Sequence, residues 1–367
     1  MANLQATKMQ NWRINSANLY KNEFGQMLNG ALDFFVYSNS VPGAIVTPEL
    51  LRRALGSTGN TIQVPVLKTN TEAAVGNARN CSGMNNDLDS ALQGLSWTTV
   101  TDGFVNVPNR FMNNDIAEAE YIAAAMRSVC LRMSKKLDQL ALAALSAGKT
   151  GLLTNPLNYT FSSNTLAAKW QDRFDLIGDL NTMLIGNGFY DRVNIIGNMP
   201  ILNIFNKLAE HDTYNAVNKR YEYADKNLWL THQLANPSVE SPATPIYGTF
   251  SAVPDGQVAM LMRVARPEFR GSRSGEHIWG TTELPMMNGV TVGTHYFETQ
   301  GDMTSYTSEA DMTCDYAEHY NFAVDVAFLT SYNSQVASKP SPILYGTVET
   351  GDNGVTNVKV VAPIPEA

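Results

Sequence analysis

The chain has 367 residues, a formal net charge of −8 and a sequence pI near 5.2. This acidic balance argues against a dedicated nucleic-acid-binding protein, which needs lysine and arginine to displace the counterions of the phosphates. Charged residues make up only 16% of the chain and hydrophobic residues 44%, so a large core can be buried beneath a surface that is poor in charge. Protein–protein interfaces are likewise depleted of charged residues. The composition favours a protein that assembles, and the length predicts two domains or one elaborated domain.

Cysteine usage and hydropathy indicate a reducing compartment. Cys81, Cys130 and Cys314 are an odd number, widely spaced and without a C-x-x-C pair, so they imply no disulfide framework. The N-terminal region has no apolar signal-peptide core, and no apolar run is long enough to cross a membrane. We therefore expect a soluble, unexported protein without a membrane partner.

Two helices are predicted near the start of the chain. Residues 17–36 carry apolar side chains at helical spacing after a polar arm of about 15 residues. Thr47 is placed to cap a short helix that begins at Pro48 and ends at Leu55, because proline is favoured at the first helical position.

The next stretch predicts an extended arm. Residues 61–67 are a β-branched run interrupted by Pro65, which is typical of an edge strand or a hairpin. Residues 68–94 are polar and aperiodic, and a strand pattern resumes over 95–107. Structureless loops of this length are rare inside a compact domain, so we expect an arm that packs on another subunit.

Residues Asp115 to Ala147 predict one unbroken helix, with Asp115 as the cap and Glu118 three residues later. At about 1.5 Å per residue it is about 50 Å long, beyond the diameter of a small domain. We expect a flat, elongated subunit that neighbouring copies help to cover. Its apolar stripe comprises Ile116, Ala119, Ile122, Ala123, Met126, Val129, Cys130, Met133, Leu137, Leu140, Ala141 and Ala144. The cations Arg127, Arg132, Lys135 and Lys136 are interpreted as a solvated face, with loose contact to packaged DNA as the alternative.

Residues 165–300 predict a second, α/β unit. Its expected elements are a helix over 166–185 ended by Gly186-Asn187-Gly188, a buried strand over 192–197, a helix over 199–210, a proline-rich loop region over 237–254 and a central strand over 258–264. Beyond this unit, residues 320–328 alternate apolar and polar side chains as a half-buried strand does.

No motif in the chain specifies a reaction. The five histidines are dispersed, without the spacing of a zinc site. Residues 271–275 resemble a nucleophile elbow only superficially, since Arg273 stands at the serine position. An acidic set lacks calcium-loop spacing, so a solvated face or subunit contacts explain it better. That set is Glu298, Asp302, Glu309, Asp311, Asp315 and Glu318. We predict no enzyme activity, no metal and no cofactor.

The order of these elements resembles the major capsid protein of tailed double-stranded DNA bacteriophages, the Hong Kong 97 fold. Residues 62–107 look like its extended E-loop, and residues 114–148, with the run LDQLALAALSAGKT over 137–150, look like its spine helix. Residues 165–300 look like its axial domain. The run YNFAVDVAFL over 320–329 and the closing PSPIL over 340–344 look like the return to its peripheral domain.

The resemblance implies an α+β fold with five regions. These are an N-terminal arm with the first helices (1–55), an extended loop (56–108), a peripheral domain with the spine helix (109–164), an axial domain (165–300), and a return to the peripheral domain with a C-terminal tail (301–367). It implies a shell subunit that forms pentamers and hexamers of an icosahedral virion capsid around double-stranded DNA and assembles in the host cytoplasm.

Partners and contact residues follow from the same resemblance. The short N-terminal arm implies a separate scaffolding protein, alongside a portal and a decoration protein. Lys68 is the one lysine of the extended loop and the candidate for a covalent cross-link. The expected inter-subunit contacts are Trp12, Phe24, Lys68, Asn70, Asn80, Met84, Arg270 and Arg273.

Two alternatives remain open at this point. One is a nanocompartment shell protein of the encapsulin type, which would enclose a cargo enzyme in place of DNA. The other is a monomeric α/β ligand-binding protein or hydrolase.

Overall fold

The chain is represented by a computed structural model, which describes residues 29–42, 44–67, 90–107, 115–208, 213–215, 220–223, 226–234, 246–275, 277–283, 289–299, 317–330 and 340–350. Its helices are α1 (Gly30–Ser38), α2 (Pro48–Leu55), α3 (Asp115–Ala147), α4 (Arg173–Gly186), α5 (Met199–Leu208) and α6 (Arg266–Phe269), with a 3₁₀ turn at Trp170–Asp172.

The strands are β1 (Thr61–Leu67), β2 (Ser90–Ser96), β3 (Thr98–Asn106), β4 (Thr160–Ser162), β5 (Thr165–Ala168), β6 (Val193–Gly197), β7 (Thr213–Asn215), β8 (Arg220–Tyr223), β9 (Lys226–Leu230), β10 (Ile246–Pro254), β11 (Val258–Arg263), β12 (Arg273–Ser274), β13 (His277–Glu283), β14 (Thr291–Thr299), β15 (Ala317–Thr330) and β16 (Leu344–Glu349). Helices and mainly antiparallel sheets together confirm the predicted α+β class.

These strands form three sheets. β1 and β2 form a two-stranded antiparallel hairpin. An eight-stranded sheet has the order β4-β5-β16-β10-β6-β9-β8-β7. A six-stranded sheet has the order β11-β15-β14-β13-β12, with β3 on the other edge of β15.

The 14-residue strand β15 organises the six-stranded sheet. Residues 318–326 pair with β3 along one edge, while 317–323 pair with β14 and 325–330 with β11 along the other. Its burial alternates strictly over 318–326, as the sequence predicts for a strand with one covered face. The strand β15 therefore has two different faces. We call the face of the buried residues Tyr320, Phe322, Val324 and Val326 the inner face, and the face of the less buried residues between them the outer face.

Three hydrophobic cores hold these layers. The first lies between α3, α1 and the inner face of the six-stranded sheet. The second lies between α4, α5 and the eight-stranded sheet, and the third between α2, the hairpin base and the β11 end of the outer face. Strands β6 and β9 are buried on both faces, since Ile195 and Leu228 belong to the second core while Ile196 and Trp229 belong to the first.

Several sequence predictions are confirmed. Helix α3 has the predicted bounds, and six residues of its stripe are buried, namely Met126, Val129, Cys130, Met133, Leu137 and Ala141. Helix α2 begins at Pro48, and Thr47 Oγ1 accepts a hydrogen bond from the Leu50 amide at 3.3 Å. Strands β1, β6 and β15 and helix α5 lie where they were predicted. Helix α4 ends at Gly186, followed by Gly188 at φ 92°.

Three predictions are wrong in detail. Helix α4 begins at Arg173, because residues 165–168 are instead used as β5, which pairs with β16. Residues 246–254 form β10 and not a loop; Pro254 is its last residue, where a missing amide costs little. Strand β11 lies at one end of its sheet path and not at the centre, and it is buried because helices cover both of its faces.

The sheets also divide the chain differently from the expected 165–300 boundary. Strands β11, β13 and β14 join the sheet that carries α3, whereas β16, from the C-terminal region, pairs with β10 and β5 in the eight-stranded sheet. The five-region division therefore stays a prediction. The expected helix over 17–36 has only its end among the described residues, as part of α1.

Candidate subunit-contact surfaces

The long helix α3 lies on the inner face of the six-stranded sheet, where it packs against β3 and β15. On β15 the side chains of Tyr320, Phe322, Val324 and Val326 point into this contact and are at most 6% exposed. They meet Met126, Val129, Met133 and Leu137 of the helix in one continuous core. Burial of this kind stabilises the folded subunit by about 25 cal/mol for each square ångström of apolar surface.

The first turns of α3 are less covered than the rest. Tyr121 is 39% exposed, and its hydroxyl donates to the carbonyl of Val105 on β3, which is itself 42% exposed. Strand β3 pairs with β15 alone among the described strands, so its second edge has no ladder partner in this part of the chain. Edge strands of this length are usually covered, because open amides and carbonyls recruit further strands.

Arg132 anchors the predicted basic face of α3 to strand β3. Arg132 makes a two-pronged pair with Asp102 of β3, at 2.7 Å for Nε and 2.9 Å for Nη2. This pair raises the pKa of Arg132 above its usual range. Lys135 and Lys136 are exposed, as a solvated face requires.

Asp138, a residue that the sequence analysis did not single out, joins three elements inside the molecule. Its carboxylate accepts from the Leu32 amide at the start of α1 at 2.9 Å, and from the Thr231 hydroxyl just after β9 at 2.5 Å. It is fully buried, and burial raises its pKa to about 6 even though these hydrogen bonds and the charge of His232 oppose the rise. Its place beside Leu137 and three residues before Ala141, within the buried stripe, was the available signal.

The base of the hairpin arm is fixed to the outer face at the β11 end. Val64 and Leu95 pack with Ala327 and Leu329 in the third core. Arg263 of β11 locks this region, because it donates to Asp325 at 2.8 Å and to the Gly59 carbonyl at 2.6 Å and lies 4.6 Å over the ring of Trp97. The arm is therefore anchored in its own subunit at its base.

The other end of the outer face carries a cluster of rings that we call the histidine face. Two rows of side chains cross four strands, according to the strand registers. One row is Val105, His319, Phe297 and His277, and the next is Gly103, Asn321, His295 and Trp279. His277 and Asn321 are exposed, whereas the rings of Trp279, His295, Phe297 and His319 are half-buried. Neighbouring rings are nearly parallel, with Phe297 and His319 4.4 Å apart at 1° and Trp279 and His295 4.9 Å apart at 3°.

His277 and His295 face each other through their ring nitrogens. Nδ1 of His277 lies 2.9 Å from Nε2 of His295, and the ring centroids are 5.2 Å apart. The distance between the centroids exceeds the distance between the nitrogens by 2.3 Å, which is about two imidazole ring radii. Both nitrogens therefore lie on the line between the two ring centroids. One nitrogen donates and the other accepts. Burial, and then the charge of His277, lower the pKa of His295.

Of the predicted contact residues, two are described. Arg270 is exposed just after α6, and Arg273 is exposed at the start of β12. Trp12, Phe24, Lys68, Asn70, Asn80 and Met84 lie outside the described residues. Sequence reasoning did not find the histidine face, because its rings come from three strands that only sheet pairing brings together.

No site for metal or catalytic chemistry emerges among the described residues. No group of three histidine, cysteine or acidic side chains there could hold a metal ion. Of the predicted acidic set, Glu298 accepts from the Tyr296 hydroxyl and Glu318 from Asn106 and Tyr320, while the other four residues lie outside the described part.

An open acidic depression of about 370 Å³ lies beside α4. Asp172, Asp175 and Asp179 line it together with Asn158, Tyr159 and Phe174. The Tyr159 hydroxyl donates to Asp179 at 2.8 Å, and burial together with that carboxylate raises the pKa of Tyr159. The lining offers carboxylates and one phenol without a nucleophile–base pair, so it indicates no reaction. No helix in the described part of the chain is long and apolar enough to span a membrane.

Comparisons with known proteins gave matches among solved structures only; no family model and no curated protein matches the chain. The chain is similar to a structure from Mycobacterium phage Che8, with 11% identity, 82% of this chain and 89% of that chain covered, and a TM-score of 0.44. It is similar to the capsid structure of cyanophage P-SCSP1u, with 9% identity, 80% and 84% covered, and a TM-score of 0.42. The mature capsid of bacteriophage PhiM1 matches at 9% identity, 80% and 83% covered, and a TM-score of 0.41. Similarity at this level does not by itself assign a function.

Proposed function

We propose that this chain is a shell subunit that self-assembles into pentamers and hexamers of an icosahedral phage capsid enclosing double-stranded DNA. The role is structural and involves no catalysis. The order of the elements supports the proposal: a hairpin, the long helix α3, a region of alternating helices and strands, and the long strand β15 follow one another along the chain.

The observation that carries the proposal is the incomplete cover of α3 and β3. A 33-residue helix of about 50 Å lies on the sheet, and among its described side chains Ala119 is exposed while Ile122 and Ala123 are only partly buried. Tyr121 and Val105 are exposed beside the edge of β3 that has no ladder partner among the described strands. A second subunit that covers this region removes apolar surface from water and closes the edge. Closed symmetric assembly then multiplies such contacts over many copies.

Further features belong to the same proposal. The extended loop (62–107) overlies an adjacent subunit, and the axial region within 165–300 meets its copies around the capsomer axes. The subunit is part of the virion capsid and assembles in the host cytoplasm with a separate scaffolding protein, a portal and a decoration protein, in loose contact with packaged DNA. The predicted contacts in the arm and loop, from Trp12 to Met84, remain part of this proposal.

Size and shape of the purified protein test the proposal. We expect size-exclusion chromatography and negative-stain electron microscopy of the full chain to show capsomers or closed shells. DNA inside the particles would distinguish a capsid from a nanocompartment, which would hold a cargo enzyme. A stable monomer of 40.2 kDa under every condition would contradict the proposal.

Shortening the arm gives a sharper test. Leu67 lies directly opposite Ser90, so an Asn-Gly turn in place of residues 68–89 closes a two-residue hairpin without disturbing the β1–β2 pairs. We expect this variant to fold, with the circular dichroism spectrum and melting temperature of the parent, and to lose assembly. A Gly/Ser segment of the original length serves as the control that separates loop length from loop sequence. Global unfolding of the short variant would contradict the arm assignment.

A further inference from the structure

The histidine face has no fixed charge. None of its eight positions, in the two rows from β3 to β13, is a lysine, arginine, aspartate or glutamate. Three of them are histidines, out of five in the whole chain. Histidine is the side chain whose ordinary pKa lies between pH 5 and 8. The charge of this mainly aromatic face is therefore set by the protonation of its histidines alone.

The His277–His295 contact limits how much charge the face accepts in its present form. With the two nitrogens aimed at each other, the pair can share one proton between them. A second proton would place two N–H groups head to head, so the doubly protonated pair must separate. The parallel rings of Trp279 and Phe297 lie about 5 Å from His295 and would be displaced with it.

Charged groups surround the face without entering it. On the outer side, helix α6 contributes three charged residues. Glu268 is buried and accepts a hydrogen bond from the Ala265 amide, whereas Arg266 and Arg270 are exposed. Strand β13 ends in the exposed Glu283, β12 begins with Arg273, and on β15 Asp325 is paired with Arg263. His319, inside the face, has a hydrogen bond of 3.0 Å with Thr299. These groups form a rim of mixed sign.

We propose that the histidine face is a contact between two copies of this chain, formed by the same face on each copy, and that acidification releases it. Two copies of the same face repel each other when each carries net charge, and this face carries none when its histidines are neutral. A nucleic acid would instead require fixed cations, and a strongly charged protein segment would require fixed charges of opposite sign. Protonation of the histidines places like charges opposite each other, and it separates the His277–His295 pair.

The area fits a contact that acts in a larger assembly. Four strands at about 4.8 Å and two rows at about 6.6 Å spacing give a surface of about 250 Å². Stable two-protein interfaces bury about 800 Å² on each partner. The contact is therefore too small to hold an isolated dimer and gains its effect from the multiplicity of a shell. In this respect the inference rests on the proposed function.

Photo-crosslinking tests the contact directly. Asn321, exposed within the face, is replaced by p-benzoylphenylalanine in the full chain, and ¹⁵N-labelled and unlabelled chains are mixed before irradiation. We expect mixed-label cross-links from position 321 to peptides 277–297 or 317–323 of another copy at pH 7.5, and a yield lower by about fivefold or more at pH 5.0. The same photoreactive residue at Tyr190, which is 77% exposed between α4 and β6, should give no cross-links to those peptides.

A charge substitution provides the second measurement. Phe297→Glu places a carboxylate in the face, whereas Thr281→Glu adds the same charge on the neighbouring exposed part of β13. We expect Phe297→Glu to abolish the mixed-label cross-links, and Thr281→Glu to retain them. Far-ultraviolet circular dichroism verifies that both variants fold; should Phe297→Glu not fold, Phe297→Ser takes its place.

The outcomes separate this inference from the shell function. Particles that form without cross-links between copies through position 321, or cross-links that map only to other surfaces, overturn the contact and leave the shell function standing. A yield that does not change with pH overturns the release on acidification. Cross-links through position 321 in a chain that never forms particles would overturn the dependence of the contact on the shell and count against the shell function.

Discussion

The two faces of strand β15 differ although they alternate along the same residues. On the inner face, Phe322 and Val324 are at most 1% exposed against helix α3. On the outer face, His319 and Asn321 remain in contact with solvent. The inner face holds the subunit together, and the outer face remains available to a neighbour. Substitutions on the two faces should therefore affect different measurements.

The largest effect is expected on the inner face. Phe322→Ala leaves a cavity against α3, so the free energy of unfolding should fall by about 3–5 kcal/mol. Urea denaturation followed by circular dichroism measures it. A loss below about 1 kcal/mol would show that the inner face is not the main support of the subunit.

Asp138 sharpens the comparison, because it is a charged group on the buried side of α3. Its pKa rises from 3.8 to about 6 on folding, so its stability contribution is fully present below about pH 3.8 and is lost as the pH rises through about 6. The total difference is about 3 kcal/mol. In Asp138→Asn, the amide still accepts from Leu32 and can donate to Thr231.

The test for Asp138 is the difference in unfolding free energy between parent and Asp138→Asn. We expect it to move in favour of the variant by about 1.4 kcal/mol between pH 5.0 and pH 7.5. Asp102→Asn, which alters an exposed pair with Arg132, serves as the control and should show almost no such change. A difference that is independent of pH would contradict the raised pKa.

Arg263 tests the covered end of the outer face. Arg263→Lys keeps the charge but loses the planar contact with Trp97 and part of the hydrogen bonding to Asp325 and Gly59, so we expect a loss of about 1–2 kcal/mol. Arg53→Lys on α2, whose pair with Glu49 is exposed, should cost less than about 0.5 kcal/mol. Equal losses in a denaturation series would mean that the hairpin base is not specifically anchored.

The smallest effect on stability is expected at the histidine face. Phe297→Ala removes a half-buried ring with little core contact, so the unfolding free energy should fall by about 1 kcal/mol or less. Assembly, followed by light scattering, should be impaired more strongly than stability. Should Phe297→Ala match Phe322→Ala in cost, the distinction between the two faces of the sheet would be lost.

Local periodicity was enough to predict helix α3 and the inner face of β15. The bounds of α3 and the alternation of β15 follow directly from the spacing of apolar residues. Strand β10 was missed because its neighbourhood is rich in proline, and sheet pairing on both sides overrides that local signal.

The histidine face and the contacts of Asp138 could not be predicted in the same way. His277, His295 and His319 are neighbours only because β13, β14 and β15 pair in one register. Asp138 was readable as a polar residue in an apolar stripe, but its partners Leu32 and Thr231 are 106 and 93 residues away. Contacts of that sequence separation depend on tertiary structure, which the pattern of one segment does not contain.

The connection between the arm and the sheet has a mechanical consequence. Strand β2 passes through Trp97 directly into β3, and β3 is paired with β15 at nine successive positions. A pull on the arm along the direction of β3 therefore loads all of these rungs at once, in shear, and does not peel them apart one by one. An anchorage of this kind yields only at high force, so tension borne by the arm would be passed to the sheet beneath helix α3 before the strand came loose.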